Sequence, residues 1–471
     1  MKTTRRNVMK AISAAASSFL PRPLRAESNE ITKRPPQDKR RFISESVDAA
    51  IARIKPRIGD SRIAWMFENC LPNTLDTTVK FRVSDGKPDT FVITGDIDAM
   101  WLRDSSAQVW PYLAFSKDHK PLRRMIEGVI RRQTACILID PYANAFMPDP
   151  QSKPLSWAVN DNTDKIPGVG ERKWEIDSLC YPIRLAHGYW KKTADDSPFD
   201  AAFKNAMRRI VATFREQQRK NSPGPYKFQR RSETPTETQF TQGYGNPTRK
   251  IGLIHSMFRP SDDACLFPLF IPANLFAVIS LNHLAELAVG VLHDPALAAE
   301  CQALAQEISE ALQQFGRIHN EVWAYEVDGY GNQLFMDDAN APGLLSLPYL
   351  ECCNVNDPVY QRTRARIWSQ ANPYFFAGSA AEGIGGPHEG LDMIWPMSII
   401  MKALTSTNDV EISRSLQWLK TTDAGTGFMH ESFHKDDPQH FTRPWFAWAN
   451  TLFGELILKV YEERPNLLNP R

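Results

Sequence analysis

From Arg41 onward the chain returns about a dozen times to apolar residues spaced three and four apart, and that recurrence constrains its fold more than any other feature. The runs include FISESVDAAIARI, LRRMIEGVIRRQTACIL, IDSLCYPIRLAHGYWKKT, FDAAFKNAMRRIVATFREQQ, LFAVISLNHLAELAVGVL and WFAWANTLFGELILKVYEER. Strand-like alternation is confined to short pieces such as TVKFRVSD, TFVITGDI and EVWAYEVDGYG. The chain therefore reads as all-α with a few short strands. At alternate junctions lie segments dense in Gly, Pro, Trp, Asp, His and Arg: TGDIDAMWLRDSS, FRPSDDACLFP, MDDANAPGLLSLPYL, GIGGPHEGLDMIWPMS and GTGFMHESFHKDDPQHFTRPWFAW. One such loop for each pair of helices predicts two concentric rings of helices, with the polar-aromatic loops gathered at one end as a mouth for a polar ligand. A length of 471 residues suits a repeated-layer fold used as one unit.

The N-terminal end is a separate object. Residues 1–26 carry Arg5 and Arg6, then Lys10, an Ala/Ser-rich stretch and small residues ending near Ala26, an order that resembles a twin-arginine export signal. Residues 27–40, ESNEITKRPPQDKR, read as a linker, and 41–471 as the folded domain. The expected location is periplasmic or secreted, with the twin-arginine machinery as a partner. Loss of residues 1–26 removes six basic residues and no acidic one, so the formal charge falls from +2 to −4. Such a chain is a poor ligand for nucleic acid or an anionic membrane. No apolar run reaches the ~20 residues that span a bilayer, so no membrane anchor is expected in the mature form.

Seven cysteines are scattered without a C-x-x-C, which argues against a structural zinc cage. Two weaker metal signals remain. Asp96 and Asp98 form an Asp-x-Asp, but no βαβ unit surrounds it. His430-Glu431-x-x-His434 has the spacing of a zinc motif, yet Gly425 and Gly427 before it and KDDP after it favour a loop over the helix that motif needs.

The loop chemistry matches carbohydrate better. Sugar sites combine aromatic rings, for the apolar faces of the sugar, with Asp, Glu, Arg, His and Asn for its hydroxyls. Trp101, Arg103 and Asp104 stand together, Trp395 lies in DMIWPM, and His430, Glu431, His434, Arg443, Trp445 and Trp448 crowd one short span. Cleaving a glycosidic bond needs two carboxyl groups on opposite sides of it, one protonated and one charged. FRPSDDA and FMHESF are the best sources. Asp262 and Asp263 read two ways: a Ser-Asp-Asp after proline can cap a helix, and two adjacent carboxylates can raise the pKa of one of them.

The segments GDIDAMWLRDS, FRPSDDA, IPAN, GGPHEGLDMIWPMS and GFMHESF, in that order, resemble those of glycoside hydrolase family 125, metal-independent exo-acting α-mannosidases that favour α-1,6 linkages. The resemblance runs from about Ser44 to Glu463. It implies an (α/α)6 barrel, no cofactor, a mannose-containing oligosaccharide as substrate, and inversion by an aspartate acid and a glutamate base. Carried onto this chain, the acid falls in the pair Asp262 and Asp263 and the base on Glu431. Trp101, Arg103, Asp104, His388, Glu389, Asp392 and Arg443 become the sugar-binding candidates. A noncatalytic sugar-binding protein on the same fold, or a zinc hydrolase using His430 and His434, is the alternative.

Overall fold

The structure, a computed structural model, describes residues 31–469. The export signal expected over residues 1–26 lies outside the described residues. Helices α1 (Glu45–Ile54), α2 (Ser61–Cys70), α3 (Asn73–Thr77), α4 (Leu102–Val109), α5 (Lys120–Ile139) and α6 (Ile176–Thr193) come first. They are followed by α7 (Ala201–Gln217), α8 (Ile271–Gly290), α9 (Pro295–Phe315), α10 (Pro358–Ile367), α11 (Pro396–Leu404), α12 (Asp409–Thr421) and α13 (Ala447–Glu463).

From α2 onward the chain alternates between two rings. The inner helices α4, α6 and α8 pack side by side, as do α11 and α13, and α13 closes back onto α4. The outer helices back them: α2 on α13, α5 on α4 and α6, α7 on α6 beside α5, α9 on α8, and α12 on α11. Between α8 and α11 the inner position is taken by residues 341–351, a succession of turns into which Pro348 falls. Tyr181 on α6 donates to Ala341 O at 3.0 Å, Tyr360 on α10 donates to Leu345 O at 3.0 Å, and Tyr349 donates to Glu455 on α13 at 2.9 Å. With that segment the molecule is an (α/α)6 barrel.

The two rings begin their helices differently. Every outer helix is capped by a side chain that accepts backbone N–H bonds: Asp60, His119, Asp200, Asp294, Asp357 and Asn408. Each such cap is worth about 1 kcal/mol. The inner helices start after Trp101, Glu175, Phe270, Trp395 and Phe446, none of which caps through its side chain. Short antiparallel pairs prepare three of these starts instead: Met100–Trp101 with Ala145–Phe146, Leu269–Phe270 with Glu326–Val327, and Met393–Ile394 with Ser432–His434. Pro272 and Pro396 then sit in the first helical turn, where no N–H is missed.

Helix α8 is long and apolar enough to cross a membrane, a length that its interrupting Asn and His hide in the sequence. It is apolar nearly all round because it is an inner-ring helix, with Asn274 fully buried and bonded to Ile254 N and O. The barrel axis is filled rather than open. Tyr181 packs edge-on against Phe276 at 5.2 Å and against Trp448 at 6.0 Å between ring centroids. Burying side chains of this size stabilises the core by roughly 2–3 kcal/mol each.

At the N-terminal side, the described part of the segment read as a linker is fastened to the body. Arg34 bonds Asp48 and Asp76, each at 2.7 Å, and Lys33 N bonds Asn69 at 2.9 Å.

Candidate active site

The inner helices turn their N-termini toward a cavity of about 470 Å³, and the residues just before or inside their first turns line it. Helix N-termini carry partial positive charge, so this end of the barrel favours carboxylates. Trp101, Arg103 and Asp104 come from α4, Lys173 from the approach to α6, and Asp262 from the approach to α8. His388 and Trp395 precede α11, while Glu431, Arg443 and Trp448 belong to the approach to α13 and its first turn.

Asp262 and Asp263 do not start a helix. They occupy a tight turn in which Asp262 N bonds Arg259 O at 2.9 Å and Arg259 N bonds Asp263 O at 2.8 Å, eight residues ahead of α8. Asp262 has a left-handed φ of 68°, a conformation that aspartate tolerates better than most residues. The turn sends the two carboxyls to different places. Asp262 lines the cavity, where Asn144 Nδ2 donates to its Oδ1 at 3.1 Å and Lys173 Nζ to its backbone O at 2.8 Å. Asp263, 1% exposed, faces Ser261 Oγ at 3.4 Å and His388 Nδ1 at 3.9 Å.

Charge is arranged in layers below Asp262. Arg103 Nη1 donates to Glu175 at 2.6 Å and to Asp177 at 3.1 Å, and Arg103 Nε lies 3.5 Å from Asp104. Burial drives the Glu175 carboxyl well above its ordinary range and Asp177 up to about 6, since one guanidinium cannot compensate so many carboxylates. Burial also pushes Asp262 up, but Lys173, Arg103 and His388 outweigh it and hold Asp262 below the usual carboxylate value. Glu175 neighbours Asp262, and the two are driven apart: burial raises Glu175, while the surrounding cations lower Asp262. Against desolvation by the surrounding protein, the His388 imidazole, itself open to the cavity, is raised to about 9 by Asp263, Asp262 and Glu431, and so faces the cavity as a cation at neutral pH.

The opposite wall is built by residues 430–446. Arg443 Nη1 donates to Glu431 Oε1 at 3.0 Å, and Arg443 Nη2 bonds Asp96. Gly95 lets the guanidinium in: its φ is +62°, and a Cβ there would lie 3.2 Å from Arg443 Nη2. Glu389 lies against Glu431 and Thr442, and burial together with the Glu431 charge raises it to about 7. Asp392 does not line the cavity; it is half-buried, with Lys435 Nζ 4.0 Å away.

The metal signals come apart in space. Asp96 pairs with Arg443 and Asp98 with Lys80. Residues 430–434 leave a loop for the strand Ser432–His434; His430 stacks on Phe441 and His434 on His440. Four residues of extended chain span roughly 13 Å, too far for both histidines to reach one ion. Among the described residues no group of three or more His, Cys, Asp or Glu could hold a metal.

The indole N–H groups of Trp101, Trp395 and Trp448, all buried and all lining the cavity, have no hydrogen-bond partner in the protein. The segment that sequence reasoning passed over is 140–175, which supplies Asn144, Trp157, Glu171, Lys173 and Glu175. Its signal was RKWEID, which has the composition of the other mouth loops and likewise precedes an inner helix.

A family model described as metal-independent alpha-mannosidase (GH125) matches residues 60–458. The chain is 44% identical over 460 residues to the meiotically up-regulated gene 157 protein of Schizosaccharomyces pombe, covering 93% of this chain and 89% of that protein. A solved structure of a Streptococcus pneumoniae metal-independent alpha mannosidase, in a non-productive substrate complex with alpha-1,6-mannobiose, matches with a TM-score of 0.85 at 41% identity, covering 90% of this chain and 100% of that one.

Proposed function

The chain belongs to glycoside hydrolase family 125, the metal-independent α-mannosidases, and we propose that it releases single mannose units from the non-reducing ends of α-1,6-linked oligosaccharides with inversion at the anomeric carbon. The observation that carries this reading is one cavity, lined by Trp101, Trp395 and Trp448, to which Asp262 and Glu431 come from separate approaches of the inner ring. The mannobiose held by the S. pneumoniae relative supports the choice of substrate.

In this mechanism Asp262 gives its proton to the leaving oxygen, and Glu431 takes one from the water that attacks the other face of the sugar. Glu175, whose carboxyl burial raises well above its ordinary range beside Asp262, is the proposed source of the proton that Asp262 needs. Replacing cavity water by sugar weakens the hydration of a charged Asp262 and favours moving that proton onto it. Arg443 keeps Glu431 oriented, and its bond to Asp96 fixes the guanidinium in turn. The His388 cation binds hydroxyls of the terminal sugar. Inversion also demands roughly 6.5–9.5 Å between the two carboxyl groups, to leave room for water.

The test is time-resolved proton NMR of the protein with α-1,6-mannobiose, beside the α-1,2 and α-1,3 isomers, in chelator. β-Mannose appearing first, and only from the 1,6 isomer, is the expected result. α-Mannose appearing first would overturn inversion, and no release from any isomer would leave a sugar-binding protein on this barrel. Export through the twin-arginine machinery is part of the proposal and rests on Arg5 and Arg6. Replacing both by Lys should keep the protein in the cytoplasmic fraction, and unchanged export would remove this element.

A further inference from the structure

Of the twelve tryptophans, Trp157 is the only one among the described residues that is exposed, at 45%, and it lines the cavity. Its loop is pinned on two sides. Leu155 N bonds Gly170 O at 3.1 Å, Asn162 N bonds Gln229 O at 2.8 Å, and Arg230 clamps Asp161 through two 2.7 Å bonds. An exposed indole on a loop held this firmly has no packing role to explain it.

Trp157 differs from the three deep tryptophans in which part of the ring is open. Trp101, Trp395 and Trp448 are buried with their N–H groups unpartnered, whereas Trp157 Nε1 donates to Glu171 Oε1 at 3.0 Å. What Trp157 offers a ligand is therefore its face, the part of an indole that stacks on the apolar face of a sugar ring. Its place relative to the chemistry is fixed by a chain of bonds. Glu171 Oε1 also accepts from Arg230 at 2.7 Å, and Glu171 Oε2 accepts from Asn144 Nδ2 at 3.1 Å. Asn144 Nδ2 in turn donates to Asp262 Oδ1 at 3.1 Å.

On the reading of Asp262 as the acid, the leaving oxygen lies beside Asp262 and the departing sugar lies beyond it. We propose that Trp157 is the stacking platform for that departing sugar, tied to Asp262 through Glu171 and Asn144, and that it selects substrates whose leaving group is itself a sugar. Trp157 acts on the leaving group and not on the mannose being cleaved.

The test compares Trp157→Ala and Trp157→Phe with the unaltered protein on two substrates: α-1,6-mannobiose, which has a leaving sugar, and α-mannosyl fluoride, which has none. For Trp157→Ala the expected fall in kcat/KM is about 10- to 100-fold on mannobiose, with fluoride hydrolysis changed by less than about threefold. Trp157→Phe keeps a ring without the N–H and should recover most of the mannobiose rate. Equal losses on both substrates, no loss on mannobiose, or a Phe variant as impaired as Ala would each overturn the platform. Failure of the unaltered protein to hydrolyse either substrate would instead remove the mannosidase reading, and the platform with it.

Discussion

Glu431→Gln cuts mannose release by about 10²- to 10⁴-fold while leaving fold and sugar binding in place. The substitution keeps size and shape, and a glutamine oxygen can still accept the 3.0 Å bond from Arg443 Nη1. What disappears is the negative charge able to take a proton from water. Because water must attack whatever the leaving group, hydrolysis of α-mannosyl fluoride falls as steeply as that of mannobiose. Steady-state rates on both substrates, a thermal melt and calorimetric titration with mannose check each part. An unaltered rate would take Glu431 out of the mechanism. Loss of the Glu431 charge also relieves Glu389, whose carboxyl is raised to about 7 by burial and by that charge and should return toward its ordinary value.

Asp262→Asn and Asp263→Asn part company. The Asp262 variant loses about 10²- to 10⁴-fold on mannobiose, where the leaving oxygen needs a proton, and little on α-mannosyl fluoride, where fluoride departs without one. The Asp263 variant loses stability first. Asp263 is 1% exposed and is the nearest carboxylate holding His388 as a cation, so its neutral replacement drops the imidazole back toward its ordinary value. Disturbing a buried polar contact of this kind costs about 1–3 kcal/mol, visible as a lower thermal midpoint. Its rates on the two substrates should shift together. If Asp263→Asn spares the fluoride and Asp262→Asn does not, the two aspartates exchange roles.

Why the ring was legible and part of the mouth was not follows from particular residues. Outer helices such as α7 and α9 announce themselves by Asp200 and Asp294 just ahead of an amphipathic run. Helix α2 escapes the same reading despite its cap at Asp60, because Ile63 through Phe67, Asn69 and Cys70 are all buried and no polar face marks the period. Within the run DMIWPMS, Met393 and Ile394 pair with His434 and Phe433 as strand, a pairing no local pattern announces, and α11 waits for Pro396. Asp262 and Asp263 look equivalent in the sequence. Only the positive φ at Asp262 separates them, and nothing short of the folded turn specifies it. Asn144 and Glu171 were invisible for another reason. Their importance lies in the bonds they make to residues far along the chain, and no local pattern encodes that.

The unequal capping of the two rings bears on how such a barrel comes together. An outer helix whose first N–H groups are satisfied by a residue one position away can begin to form before any distant partner arrives. An inner helix that starts after Trp101, Phe270 or Trp395 has no such local support and depends on strands contributed by remote parts of the chain. The catalytic end is thus the last region to consolidate and the first to loosen. Under mild denaturation the molecule should go through a stage that is still helical but already unable to hold Asp262 and Glu431 in register, so its working lifetime is set by its least self-sufficient helix starts and not by the bulk of its core.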